Sequence, residues 1–286
     1  MKRALLTAVL IPAMIGCTGD PSEIGEGEQA VRSEVNRVHL PDQASFFARP
    51  GGGGSQNLTY HNGPVIHDAH VVPIFWGPSW SGSDAGNAST IQSYLANYGT
   101  SSHYAVITQY YDTTGNIHTS NLAGGPGAYF DGSTPPTNVT DAIVQAEVNK
   151  AIAAVGWDAS AIYEVFLPAT SYSSDGSSTS CGGPKLSYCA YHGNFAGGNG
   201  DTKYGSMPYP SCGGCQTSGF STVQNIEHFI SHETREAVTD EDLNAWYDRR
   251  GSEADDKCAW SPTPFTDSNG FAYQYEWSNA AGGCVK

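Results

Sequence analysis

The chain has 286 residues and a net charge of −15, yet only 14% of its residues are charged. Its hydrophobic (39%) and aromatic (11%) contents exclude a disordered chain, and no collagen or coiled-coil repeat is present. An acidic surface repels phosphate backbones, which argues against nucleic acid as a partner. The length is enough to bury a core and fits one large domain or two small ones.

The N-terminus predicts export. Residues 1–3 (Met-Lys-Arg) form a short positive region, and the apolar stretch of residues 5–16 is too short to span a bilayer but fits a signal peptide. The stretch ends at a small residue followed by Cys17, which is similar to the bacterial lipoprotein processing site. We therefore expect residues 1–17 to be a lipoprotein-type signal peptide with Cys17 lipidated. An ordinary cleaved signal peptide is the alternative.

These features place the protein in the cell envelope, as an outer-membrane-anchored lipoprotein or in secreted form. Because Thr18 rather than Asp follows the lipidated cysteine, the outer membrane is the expected destination. The membrane would be contacted only through the lipid anchor. Residues 18–56 are acidic and then Gly-rich, which predicts a flexible tether.

Residues 57–286 are expected to form one domain. Apolar patterns predict strands over residues 71–76, 161–167, 188–192 and 271–277. Helices are predicted over residues 89–98, 141–155 and 221–238. Pro73 suggests an edge position or a bulge in the first strand, and Ser221 with Gln224 is a capping box. The fold class is therefore α/β or α+β, a mixed sheet with packed helices and long disulfide-stapled loops.

The cysteine count supports both export and lipidation. Of seven cysteines, removal of Cys17 leaves an even number, which in an exported chain suggests disulfides. Local pairing along the chain predicts three bonds, Cys181–Cys189, Cys212–Cys215 and Cys258–Cys284. A redox pair or half of a zinc site at residues 212–215 is the alternative.

The most informative segment predicts a metal-binding helix. His232 and Glu236 are four residues apart, so on a helix both lie on one face and can bind one ion, as the two histidines of H-E-x-x-H do. Zinc accepts carboxylate oxygen as well as imidazole nitrogen. Glu233 occupies the general-base position of that motif. A solvated acidic helix end with a hydrogen-bonded histidine is the alternative.

A zinc enzyme needs a third protein ligand. Glu253 is the preferred candidate, and Asp256 is its nearest rival. The other candidates are Asp255, Asp240, His228 and His192. Calcium is the less favoured metal, because residues 240–251 begin like an EF-hand loop but lack its glycine and its closing glutamate. Metal binding should weaken below about pH 6, since a histidine ligand must be neutral.

Several motifs resemble the EXORDIUM (phosphate-induced protein) family. Tyr60-His61-Asn62-Gly63-Pro64, followed by the strand at residues 71–77, is similar to the family's opening YHNGP run and its strand ending in IWYG. Residues 189–193 resemble its C-G-x-H-G motif, and residues 238–240 its Val-Thr-Asp motif. The helix at residues 231–236 resembles a bacterial branch of the family. The resemblance covers residues 57–286 and implies an exported domain, without implying an enzyme.

Two functions follow from these observations. The first is a zinc-dependent, metallopeptidase-like surface lipoprotein, in which His232, Glu236 and Glu253 hold the metal and Glu233 takes a proton from the attacking water. The second is a non-enzymatic cell-surface binding or signalling protein with at most a structural metal site. The expected substrate or ligand is a peptide, a protein or a cell-wall glycan.

Overall fold

The computed structural model describes residues 35–39 and 57–286. The predicted signal peptide with Cys17, and residues 18–34 and 40–56 of the predicted tether, lie outside the described residues. The remaining tether residues differ from the expectation, because Val35–His39 forms a β-strand. No helix in the described part of the chain has the length and apolar character needed to cross a membrane.

A six-stranded mixed sheet organises the domain. From one edge to the other its strands are β1 (Val35–His39), β8 (Tyr188–Gly197), β9 (Gly200–Met207), β6 (Ala161–Phe166), β3 (His70–Trp76) and β4 (Tyr129–Asp131). Strands β9, β6, β3 and β4 run parallel, whereas β8 is antiparallel to both of its neighbours. The predicted fold class, a mixed sheet with packed helices, is confirmed.

Helices cover both faces of this sheet. They are α1 (Ala85–Tyr98), α2 (Asp141–Val155) and α3 (Thr222–Thr239). Along β3, Val71 and Phe75 belong to the core shared with α1 and α3, whereas Val72 and Ile74 face the core shared with α2. Strands β3 and β6 are therefore buried on both faces, which explains why they are near-continuous apolar runs in the sequence.

Short ladders and turns fix the loops around the sheet. The described part contains four two-stranded ladders: β2 (Thr59–Tyr60) with β10 (Trp246–Tyr247), β5 (Asn138–Thr140) with β7 (Tyr172–Ser174), β11 (Phe265–Thr266) with β12 (Ala272–Tyr273), and β13 (Glu276–Ser278) with β14 (Gly283–Val285). The β2–β10 ladder ties the start of the domain to the loop that follows α3, and this loop carries Glu253.

The predicted elements hold, with three differences. Helix α1 begins at Ala85, four residues before its predicted start. The closing strand is interrupted and forms β12 and β13 instead of one segment. The β8–β9 hairpin extends the strand predicted at residues 188–192 and adds a strand that the sequence did not indicate. Strand β3 as a whole is not an edge strand, since it lies between β6 and β4, but pairing with β4 begins only at Ile74, so Pro73 itself has the predicted edge position and pairs only with β6.

Three disulfides form, but two of the predicted pairings are wrong. The bonds are Cys181–Cys212, Cys189–Cys215 and Cys258–Cys284, and only the last matches the prediction. Strands β8 and β9 form a hairpin, so the segment that enters β8 and the segment that leaves β9 lie at the same end of the sheet. Each cysteine of the first segment therefore meets a cysteine of the second rather than its neighbour in sequence.

Candidate metal centre

Helix α3 carries the candidate site and is buried along most of its length. Its N-terminus has the predicted capping box, in which Ser221 and Gln224 exchange hydrogen bonds between side chain and backbone. His232, Glu233 and Glu236 are at most 1% exposed. Charged side chains are almost never buried this completely unless they are paired or bind a metal.

His232 and Glu236 meet on one face of α3, as their spacing predicts. His232 Nε2 lies 3.1 Å from Glu236 Oε2. The other carboxylate oxygen, Glu236 Oε1, accepts a hydrogen bond of 2.8 Å from the backbone N–H of Asp256. This bond fixes the carboxylate so that Oε2 faces the imidazole. Asp256, the rival third ligand, also approaches His232, with Oδ1 3.8 Å from Nε2.

Gln274 sets the tautomer of His232. The Gln274 side-chain N–H₂ donates to the Asp255 backbone carbonyl at 2.7 Å, which orients its oxygen Oε1 toward His232 Nδ1 at 3.1 Å. Nδ1 therefore carries a hydrogen and donates it, so in the neutral ring Nε2 presents its lone pair. A neutral imidazole held by a hydrogen bond from its other nitrogen is the usual arrangement of a metal-binding histidine.

The sheet adds a second histidine from β8. His192 Nδ1 lies 3.0 Å from Glu233 Oε2 and 3.8 Å from Glu236 Oε2. Its other nitrogen, Nε2, lies 3.8 Å from Glu253 Oε2. His192 therefore connects both carboxylates of the helix with Glu253 of the loop. The sequence indicated His192 only as one of several alternative ligands.

The ligand atoms form two overlapping groups centred on Glu236. One group contains His192, Glu236 and Glu253, and the other contains His232, Glu233 and Glu236; within each group the ligand atoms lie within 4.8 Å of one another. The structure thus brings together all four predicted site residues, but it places Glu253 beside His192 rather than directly beside His232. Of the three predicted metal ligands, Glu236 is the one that lies close both to His232 and to Glu253.

Two buried ring nitrogens support a cation at this position. Within the described residues, Nε2 of His192 and Nε2 of His232 lack a hydrogen-bond partner. A buried polar atom without a hydrogen bond costs about 1–3 kcal/mol, and a metal ion would remove that cost. Imidazole nitrogens combined with carboxylate oxygens suit zinc, whereas calcium prefers oxygen ligands alone.

The electrostatics of the cluster also favour a bound cation. Burial, together with the carboxylates of Asp256, Asp255 and Glu233, raises the pKa of Glu236 well above its usual range. Burial and the neighbouring His232 lower the pKa of His192 to about 4, so that His192 is neutral at pH 7. The site therefore offers the neutral imidazole of His192 beside carboxylates that repel one another. A divalent cation would stabilise the ionised carboxylates.

Asp255, one of the alternative ligands, is committed to an ion-pair network. Arg235 pairs with Asp255, and its Nε lies 2.7 Å from Glu276 Oε2. All three side chains are at most 1% exposed. This network lies directly beneath the cluster, because Gln274 bonds both Asp255 and His232. The ion-pair network therefore stabilises the surroundings of the site and does not itself offer a metal ligand.

The acidic residues at the C-terminal end of α3 do not all belong to the candidate site. Glu241 and Asp242 face outward to Lys203, whose Nζ lies 3.2 Å and 3.4 Å from their carboxylates. Asp240 turns inward and accepts a hydrogen bond from the Ala245 backbone N–H. Lys203 thus supplies part of the positive charge that balances this acidic helix end.

His228, a further alternative ligand, is a neighbour of the site rather than a member of it. His228 Nε2 lies 3.1 Å from the same Gln274 oxygen that His232 contacts. Burial and the nearby His232 and Arg235 lower the pKa of His228 to about 3, which keeps it neutral. It belongs to the hydrogen-bonded layer behind His232.

Gln274→Leu is expected to lower zinc affinity about 10–100-fold, which is the usual effect of removing a hydrogen bond to a ligating histidine. His232 Nδ1–H would lose its acceptor, so the ring would lose both its orientation and its tautomer. Competition with a chromophoric chelator measures the affinity. Gln92→Leu is the control, because the Gln92 amide bonds the Ala88 carbonyl within α1. Equal affinities for the two variants would contradict this role of Gln274.

The comparisons with family models, with curated proteins and with solved structures gave no match. The site must therefore be interpreted from its own geometry.

Sequence reasoning missed three polar residues around the site. Gln274 and Arg235 have no local motif that distinguishes them from surface residues. Glu164 lies within the apolar strand β6, and its burial raises its pKa to about 8. It accepts a hydrogen bond of 2.7 Å from Thr234 of α3. A glutamate in an otherwise apolar strand was the one available signal.

Proposed function

We propose that this chain is a zinc-dependent hydrolase of the metallopeptidase type. His232 and Glu236 from α3 and His192 from β8 would hold the metal and leave a fourth position for water, with Glu253 from the loop after α3 as the alternative third ligand. The observation that carries the proposal is that two buried histidines, His192 and His232, and two further buried glutamates, Glu233 and Glu253, surround the carboxylate of Glu236. In the described structure, the Nε2 atoms of both imidazoles lack a hydrogen bond. This donor set fits zinc.

The residues around the metal ligands support hydrolysis. Zinc would supply the Lewis acidity that activates water and polarises a peptide carbonyl. Glu233 is the proton acceptor, since it lies beside a ligand on α3 and its carboxylate contacts His192 at 3.0 Å. Burial raises the pKa of Glu164 to about 8, which favours its protonated form near the carboxylate of Glu233.

The cellular setting is part of the same proposal. The N-terminal sequence and the EXORDIUM-like motifs support an exported domain of the cell envelope, held by a lipid on Cys17 or secreted. Three disulfides are consistent with an oxidising compartment. The substrates available there are peptides, proteins and cell-wall glycans, and the metallopeptidase-type site favours peptides and proteins.

Glu233→Gln is expected to keep the metal but to lower peptide hydrolysis at least 100-fold, because the amide keeps the shape of the side chain and cannot accept a proton. Metal content by mass spectrometry and cleavage of an unfolded protein give the two readouts. Glu147→Gln is the matched control, since Glu147 is a buried glutamate on α2 beside Lys150. Full activity of the Glu233 variant would contradict the proposal.

The burial of the cluster supports a second candidate, a structural metal site in a non-enzymatic surface protein. Structural zinc sites are closed, whereas catalytic sites keep an open position. Asp256, at 18% side-chain exposure, is the most accessible acidic group beside His232. In this case the metal would raise the unfolding temperature, and neither the wild type nor Glu233→Gln would cleave a peptide.

A further inference from the structure

Strand β1 lies on the outer edge of β8, the strand that carries His192. It pairs antiparallel with β8, and the register places Asn36 opposite His192 and Val35 opposite Gly193. The backbone of β1 also approaches helix α3. An extended segment from the far N-terminal side of the domain therefore crosses the sheet edge directly at a proposed metal ligand.

The chain reaches this position from outside the continuous domain. Residues 40–56 separate β1 from Asn57, and they include the run of four glycines at residues 51–54. Strand β1 can pair with β8 and dissociate from it without unfolding the rest of the sheet, since β1 is an edge strand with one neighbour.

Edge strands are the recurrent binding sites for extended peptides. Backbone hydrogen bonds give the affinity, and they do not depend on one particular sequence. A polypeptide added to β8 in the position of β1 would run past His192 and present its backbone to the site. A free peptide and β1 cannot use this edge at the same time.

We propose that the outer edge of β8 is the binding site for an extended polypeptide segment and that β1 is its intramolecular occupant. The substrate class is therefore an unfolded or extended polypeptide that binds antiparallel to β8. Strand β1 must leave before the substrate binds, so the N-terminal segment restrains the site. The catalytic consequence rests on the proposed function, whereas the binding of a peptide does not.

The test uses the full chain with proline substitutions in β1. Successive residues of a strand direct their N–H groups to opposite sides, so of Asn36→Pro and Arg37→Pro only one removes a hydrogen bond to β8. The probe is a fluorescent peptide with the sequence of residues 33–40, and its binding is measured by anisotropy. A scrambled peptide and the variant Gln43→Pro/Ala44→Pro, with two prolines in the connecting segment, are the controls.

The double variant Asn36→Pro/Arg37→Pro is expected to bind the peptide at least tenfold more tightly than the wild type and the connecting-segment control. One single variant should match the double variant, and the other should match the wild type. Hydrogen exchange in β8 should increase in the double variant and return to the wild-type rate when the peptide is added. Equal binding by all chains, or unchanged exchange in β8, would overturn the proposal.

Hydrolysis separates this proposal from the proposed function. If both hold, the zinc-loaded double variant should cleave an unfolded protein at least tenfold faster than the wild type. Tighter peptide binding without any cleavage would support the edge site and contradict the peptidase. Cleavage at the same rate in both chains would support the peptidase and contradict a restraining role for β1.

Discussion

His232→Ala is expected to lower zinc affinity at least a thousandfold. The variant removes a proposed direct ligand, so its effect should exceed the 10–100-fold loss typical of residues that only orient a ligand. Glu236→Ala should have a comparable effect, because Glu236 belongs to both groups of ligand atoms. Metal content after purification without chelators, followed by titration against a competing chelator, measures the loss.

The matched control for this prediction is His118→Ala. His118 is 60% exposed and pairs with Asp68 on the surface, so its loss should leave metal content unchanged. Circular dichroism of each variant shows whether it is folded. Two results together would contradict the metal centre: a wild-type protein that contains no metal, and a His232→Ala variant that is as stable as the wild type. A non-enzymatic binding protein would then be the better interpretation.

Arg235→Met should lower the free energy of unfolding by about 3–5 kcal/mol, the usual cost of removing one partner from a buried ion pair. Arg235 contacts both Asp255 and Glu276, and these carboxylates would be left in the core without their cation. Burial already raises the pKa of Asp255 and of Glu276 despite the arginine. Without it, both carboxyls would have to take up protons in order to stay buried.

Urea unfolding at pH 7 measures this loss, with the exposed Arg249→Met as the control. The loss should become smaller as the pH is lowered. The folded variant binds protons more readily than the unfolded chain, and its stability relative to the unfolded chain therefore increases as the pH falls toward the ordinary pKa of a carboxyl group. A loss below about 1 kcal/mol would show that Arg235 does not support the site.

The sequence by itself determined the features that depend on neighbours within a few turns of the chain. The capping box of Ser221 and Gln224 fixed the start of α3, and the spacing of four placed His232 and Glu236 on one face. The apolar runs located β3 and β6, because strands buried on both faces need no polar alternation. The even cysteine count indicated three disulfides. These patterns are local, since hydrogen-bonded helices and buried strands repeat over short distances.

Only the tertiary structure decided which distant residues share a site. The β8–β9 hairpin brings His192 to Glu233 and Glu236, 41 and 44 residues away along the chain. The same hairpin pairs Cys189 with Cys215 instead of Cys181. The register of strands far apart in sequence depends on the packing of the whole sheet, so no local pattern encodes it. For the same reason, a segment with the composition of a tether could become the edge strand β1.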